Sequence, residues 1–298
     1  MNRYPNAAAF RAALEGRLNT VARAGGRPVG RARKLVAFTR LLARLERAAP
    51  RRWVLKGGFA LELRLGGQAR TTRDVDLDWN ASLEDATEAL LEGAALDLDD
   101  YFQFEIERVG EADVGAGGGI RFRADAFVAG RLFEQLLVDV GIGQAVFSPS
   151  DELTAPDLLD FAGIEPAHVL AAPLEQHLAE KLHAYTRRYA SDRRSSRPKD
   201  LIDMVLIAEL ASFEATRLHE VINRLFAARA THLAPQELPR PPADWSRPYR
   251  TLASELGIDP DPGGGYRQAA KLLDPLLHGE VEAHRWNPVT QQWDPADG

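Results

Sequence analysis

The chain has 298 residues, 45% hydrophobic and 27% charged, the balance of a soluble globular protein with room for two ordinary domains. It contains no cysteine, which excludes disulfides, thiolate metal sites and a cysteine nucleophile and fits a reducing cytoplasm. The net charge of −6 conceals an asymmetry: residues 1–52 hold thirteen basic residues against Glu15 and Glu46, so they carry +11 and the remainder −17. A basic segment on an acidic body suggests a polyanionic partner gripped away from any metal site, or else a solvated arginine-rich helical face. No signal-peptide pattern opens the chain, and no apolar run approaches the ~20 residues that span a bilayer, so no membrane role is expected.

Phe10, Leu14 and Leu18 recur at helical spacing and predict a helix over 5–23, broken by Gly25-Gly26-Arg27-Pro28. A second helix is predicted over 31–48, with Leu35, Phe38, Leu41, Leu42 and Leu45 in one stripe and Arg33, Arg40, Arg44 and Arg47 mostly off it. The short apolar run Trp53-Val54-Leu55 then meets a turn at Gly57-Gly58 that opens a helix, followed by a polar loop, Arg70-Thr71-Thr72-Arg73. In Asp74-Val75-Asp76-Leu77-Asp78-Trp79 the apolar residues share one face of a strand and the three carboxylates the other. Such a row of like charges needs a compensator, usually a divalent cation held by oxygen ligands. Ser82 is an N-cap candidate for a helix reaching about Gly93.

Alternation predicts strands over 101–109, 120–128 and 132–142, with a flexible turn over 115–119. Asp139 lies within an otherwise apolar strand, where a charge must be paired or coordinated. From Pro173 strands give way to helices. In the helix over 174–189, Lys181 falls on the apolar side between Leu174 and Tyr185, whereas His177 and His183 read as helix-surface residues. A basic loop over 187–197 follows. Pro198 then starts a helix that is apolar nearly all round apart from Asp200 and Asp203. Residues 239–248 read as a linker or surface loop, and helices return near 249–256 and 266–277, separated by Asp261-Pro262-Gly263-Gly264-Gly265.

A glycine pair at a helix N-terminus suits phosphate, and an acidic strand suits a metal; together they are what phosphoryl chemistry on a nucleotide requires. The order Lys56-Gly57-Gly58-Phe59-Ala60-Leu61, then Arg70-Thr71-Thr72-Arg73-Asp74-Val75-Asp76-Leu77, resembles the signature of the AbiEii/AbiGii family, which includes the MenT-type toxins, within the DNA polymerase beta-like nucleotidyltransferases. Val138-Asp139-Val140, Glu180-Lys181-Leu182 and Arg197-Pro198-Lys199-Asp200-Leu201-Ile202-Asp203 extend the resemblance to Ile207, half the chain.

The resemblance implies an α/β (α+β) bilobed fold: a polymerase beta-like mixed sheet with basic N-terminal helices over 1–165, a helical lobe over 166–298, and NTP in the cleft. It implies Mg²⁺ or Mn²⁺ on Asp74, Asp76 and Asp139, and catalytic roles for Asp74, Asp76, Lys181 and Asp203. Lys56, Gly57, Gly58, Thr72, Lys181, Arg193 and Arg197 would bind the nucleotide. Asp203 would orient or deprotonate the acceptor hydroxyl, and Thr72 matches a position linked in related toxins to control of activity. The implied reaction transfers NMP to the 3′ end of tRNA, blocking translation in the cytoplasm, with a separate antitoxin protein as silencer. Modification of a protein or small molecule, and a non-catalytic nucleotide-binding module, are the alternatives.

Overall fold

In the computed structural model, residues 3–112, 118–142, 149–189, 193–194 and 197–296 are described. They form two compact units. The first holds the chain up to Ala172 except two short runs, Gln68–Arg70 among them, which belong with the second; the second holds Pro173 onward. The division thus falls at 172/173, seven residues beyond the expected 165/166. Most of the predicted turn over 115–119 lies outside the described residues.

The first unit begins with helices α1 (Ala7–Ala24) and α2 (Val29–Ala48). Strand β1 (Trp53–Lys56) passes directly into α3 (Gly57–Leu65), and β2 (Asp74–Trp79) leads to α4 (Leu83–Ala95). Ser82 caps α4 by accepting from the Asp85 N–H. Asp85 itself turns to the Trp79 indole and Arg52 instead of closing a capping box. Strands β3 (Phe102–Glu111), β4 (Gly119–Val128) and β5 (Arg131–Ile142) form an antiparallel meander. Two strands that the sequence reading did not identify, β6 (Asp151–Thr154) and β7 (His168–Ala171), complete a mixed seven-stranded sheet of order β3-β4-β5-β2-β1-β7-β6.

The register explains the two faces. Val75 pairs with Val138, which pairs with Phe122, and these rows of buried side chains meet Phe38, Leu41, Leu42, Phe59 and Leu90 in one core. On the opposite face, Asp76 pairs with Asp139 and Asp139 with Arg121. Asp139 therefore lies on a central strand, flanked by ladders on both sides.

The basic N-terminal segment is largely spoken for. Arg44 is fully buried and grips Asp100 through two nitrogens at 2.7 and 2.8 Å, while Arg40 adds a bond at 2.7 Å. Arg44 also donates to the Phe102 and Leu96 carbonyls. Arg31 bonds Glu62, and Arg33 bonds Glu15. These arginines knit the fold, while Arg17, Arg23, Arg47 and Arg51 are exposed.

The second unit contains α5 (Leu174–Thr186), the two-residue strands β8 (Arg188–Tyr189) and β9 (Arg193–Arg194), and α6 (Pro198–Leu210). Strand β10 (Phe213–Glu214), α7 (Ala215–Arg229), α8 (Ser246–Leu256) and α9 (Pro262–Leu277) follow, then β11 (His284–Asn287) and β12 (Gln292–Pro295). Strands do not stop at Pro173, contrary to the sequence reading: β10, β11 and β12 form a second small sheet, anchored by the buried Trp286 on the Ala208 carbonyl. The glycines at 263–265 open α9 and do not separate helices. Asp261 caps them, and a Cβ on Gly265 would stand 1.9 Å from the buried Tyr249 hydroxyl oxygen. His177 and His183 are buried, not on the helix surface; His183 shares a hydrogen-bond chain with Thr231, His232 and Thr186. Among the described residues, no helix is long and apolar enough to cross a membrane.

Candidate active site

In the first unit the functional side chains gather where β1 becomes α3 beside β2. Lys56 is extended, and Gly57 at once takes φ +66°, so the helix starts without a connecting loop. Register places Lys56 opposite Asp76. A Cβ on Gly57 would fall 1.7 Å from Oδ2 of Asp76, so the missing side chain is what lets this carboxylate lie against the helix start. Lys56, the N-cap residue of α3, makes no side-chain capping bond. The helix's first-turn N–H groups lack intrahelical acceptors, and Gly57 and Gly58 are in that turn, an arrangement suited to phosphate oxygens.

Thr72 is buried and donates to the Asp74 carbonyl at 3.0 Å, with the Asp74 carboxylate at 3.4 Å. It thus braces the start of β2 instead of offering its hydroxyl to solvent. Lys56 is also buried, its ammonium 3.6 Å from Oδ1 of Asp78. One of the three aligned carboxylates therefore has a lysine as counter-ion.

Asp74 and Asp76 are half-buried neighbours on one strand face. That donor set fits Mg²⁺, which uses one or two carboxylates and completes its shell with water and substrate phosphates. Asp139, expected beside them as a ligand, has both oxygens engaged by Arg121: Nε to Oδ1 at 2.7 Å and Nη2 to Oδ2 at 2.6 Å. The bond to Asp139 raises the Arg121 pKa, against an opposing effect of burial, and Asp74 and Asp76 add to the rise. Among the described residues, no group of three or more carboxylates and histidines is placed to hold a metal.

The second unit gathers its own charged cluster. Lys181 of α5 lies 2.8 Å from Asp203 and 3.5 Å from Asp200, both on α6. Arg70 bonds both Asp203 oxygens, at 2.8 and 3.1 Å, and Arg197 lies 3.2 Å from Asp200. Both aspartates are fully buried. Burial opposes the Asp203 charge, but Lys181 and Arg70 outweigh it and hold the carboxyl well below the usual carboxylate range. Burial likewise opposes the Lys181 charge, and Asp203 and Asp200 together raise its pKa regardless. Lys199 moves the other way, lowered by burial and then by Arg197, Arg70 and Lys181. Arg193 lies on β9, and its side chain is outside what is described.

A carboxylate held ionised this firmly has little tendency to accept a proton, so Asp203 is suited to fixing Lys181 and not to general-base work. The sequence reading gave no role to Arg70 or Arg121. Arg70 sits inside the Arg-x-Thr-x-Asp motif, but nothing local reveals that it reaches Asp203. Arg121 was legible only as a polar-face residue, because its partner is set by strand register.

A family described as nucleotidyl transferase AbiEii toxin, type IV toxin–antitoxin system, matches residues 40–278. The fold is similar to that of MenT4, a nucleotidyltransferase toxin of Mycobacterium tuberculosis H37Rv, at 19% identity and a TM-score of 0.53, covering 87% of this chain and 97% of that one. Two Helicobacter pylori structures also align: a putative nucleotidyltransferase (16% identity, TM-score 0.45, 84% and 96% coverage) and JHP933 (15%, 0.42, 84% and 94%). Comparison with curated protein sequences gives no match.

Proposed function

This chain belongs to the AbiEii nucleotidyl transferase toxin family of type IV toxin–antitoxin systems, and from that membership we propose that it transfers NMP from an NTP to the 3′ end of tRNA. The chain is thus a nucleotidyltransferase with an NTP substrate and a cognate antitoxin; the acceptor, the metal and the cytoplasmic setting are the proposed part. The observation that carries the site assignment is the Asp76 carboxylate lying against Gly57 at the start of α3. The helix start that would bind phosphate and the acidic strand thereby lie side by side.

Mg²⁺ held by Asp74 and Asp76 would neutralise phosphate charge as the acceptor hydroxyl attacks the α-phosphorus and pyrophosphate leaves. The N–H groups of Gly57 and Gly58 bind phosphate oxygens through the helix start. Lys181, kept charged by Asp203 and Asp200, supplies a fixed cation to phosphate, with Arg193 and Arg197 as further cations. Asp203 orients Lys181 and Arg70. Thr72 holds the first metal-binding residue in place through the Asp74 main chain. Exposed arginines such as Arg47 and Arg51 are available to an RNA backbone.

The test is transfer by the purified chain with Mg²⁺, total tRNA and each α-labelled NTP in turn, beside Asp76→Asn and a tRNA-free control. Label on tRNA from one NTP, absent with the variant, supports the reading. Label on protein, or on a small molecule, would replace tRNA as the acceptor. No transfer from any NTP, with nucleotide binding intact, would leave a non-catalytic module.

A further inference from the structure

The acidic face of the large sheet holds an arginine that the proposed chemistry does not use. Asp76, Asp139 and Arg121 stand side by side on β2, β5 and β4 in one register row. Asp139 is 6% exposed at its side chain, and Arg121 39%. The guanidinium grips the carboxylate side-on with Nε and one Nη2 hydrogen, so two of its five N–H donors are used. The rest belong to the more exposed end of the pair.

Charge on this face supports the same conclusion. Of the four carboxylates on this face, Asp78 has Lys56 and Asp139 has Arg121 as an ion-pair partner. A metal bound by Asp139 as well would compete with a bidentate, charge-assisted pair of which one member is buried.

We infer that Asp139 is not a metal ligand but the positioning residue for Arg121, and that Arg121 uses its remaining donors to bind an anionic phosphate oxygen beside Asp74 and Asp76. That oxygen belongs to the NTP or to the nucleic-acid backbone. The inference rests on the nucleotidyltransferase reading of the same strand and assigns a job within it.

The experiment measures three binding affinities of the full chain. These are Mn²⁺ by titration, a non-transferable NTP analogue, and tRNA, for wild type, Arg121→Gln, Asp139→Asn, the double variant and Asp76→Asn. Asp139→Asn should retain Mn²⁺ binding, weakened only by the uncompensated Arg121 charge, while Asp76→Asn abolishes it. Arg121→Gln should weaken either the analogue or tRNA by about tenfold, the scale of one charge-assisted hydrogen bond; which of the two weakens identifies the source of the phosphate. Asp139→Asn should reproduce that loss, and the double variant, which buries no lone charge, should lose no more than either single one. A thermal melt of the double variant near that of wild type separates these effects from unfolding.

Mn²⁺ binding weakened as much by Asp139→Asn as by Asp76→Asn overturns the inference and restores Asp139 as a ligand. Unchanged binding of both analogue and tRNA by Arg121→Gln also overturns it. Failure of the wild type to bind Mn²⁺ would instead remove the metal reading of Asp74 and Asp76 itself.

Discussion

The Asp76 carboxylate lies where the side chain of residue 57 would be: a Cβ on Gly57 would stand 1.7 Å from Oδ2. Two separate demands therefore fall on one glycine, a φ of +66° and the absence of a side chain. The sequence motif separates these residues by a helix and a loop, and the fold brings them into contact.

Gly57→Ala tests that contact. The left-handed backbone alone should cost about 1–2 kcal/mol. The methyl group must also push Asp76 aside, and a displacement of about 1 Å at a reacting centre can cost ~10²-fold in rate. Transfer should fall by that order while the melt drops only modestly. A variant with wild-type transfer would show that the close approach has no part in the chemistry.

Asp76→Asn should abolish transfer and leave the thermal melt of the metal-free chain unchanged or higher, because it removes one of several like charges on a single strand face. A markedly lower melt would make the acidic row structural and remove its catalytic assignment.

The fully buried Arg44–Asp100 pair predicts the opposite pattern. Asp100→Ala strands Arg44 without its partner and should destabilise the fold by about 3–5 kcal/mol. RNA affinity per folded molecule should be unchanged, because Arg44 has no solvent exposure. Charge reversal at the exposed Arg47 or Arg51 should do the reverse, weakening tRNA binding and its salt dependence while sparing the melt. Chemical denaturation beside a salt-dependent binding series distinguishes the two.

Acid sensitivity should begin above the carboxylate range. His183 is pushed down to about 3, by burial first and then by Arg229 and His232. The unfolded chain takes up that proton near pH 6.5, whereas the native state does not, so stability falls as pH drops from about 6.5 toward 3. Asp203 and Asp100 have lowered pKa values, Asp203 because Lys181 and Arg70 overcome burial and Asp100 because Arg44 and Arg40 do. Their contribution is complete above the unfolded carboxylate value of about 4 and is lost below it. Denaturation of wild type and His183→Gln between pH 7 and 4 should show a steeper upper slope in wild type, His232 supplying what remains in the variant. Equal slopes would assign the early loss to another group.

The proton chemistry should not involve Asp203. Its carboxyl is ionised throughout the neutral range and supports the Lys181 charge, so Asp203→Asn should lower transfer at every pH from about 6 to 9, most at the alkaline end where Lys181 gives up its proton more readily. A rate limb present in wild type and missing in the variant would restore the general-base role.

The sequence by itself determined the parts whose information is local. The Asp74–Trp79 alternation, the glycine pair, the Ser82 cap and the helical stripes all follow from neighbours within a turn or a strand pair, and they place Asp74, Asp76, Lys181 and Asp203 on the right elements. Strands β6 and β7 were not legible, because a four-residue strand has too short a period to stand out and gains its stability only from the ladder it joins. Only tertiary structure decided the charge partners. Arg121 meets Asp139 through strand register, Arg40 and Arg44 meet Asp100 across about sixty positions of sequence, and Arg70 meets Asp203 across 133. Periodicity shows that a charged side chain leaves the apolar stripe, but whether it then meets water or an opposite charge depends on packing between distant elements. The basic segment thus carries the same formal charge in sequence and in structure, while several of its arginines are committed to the fold.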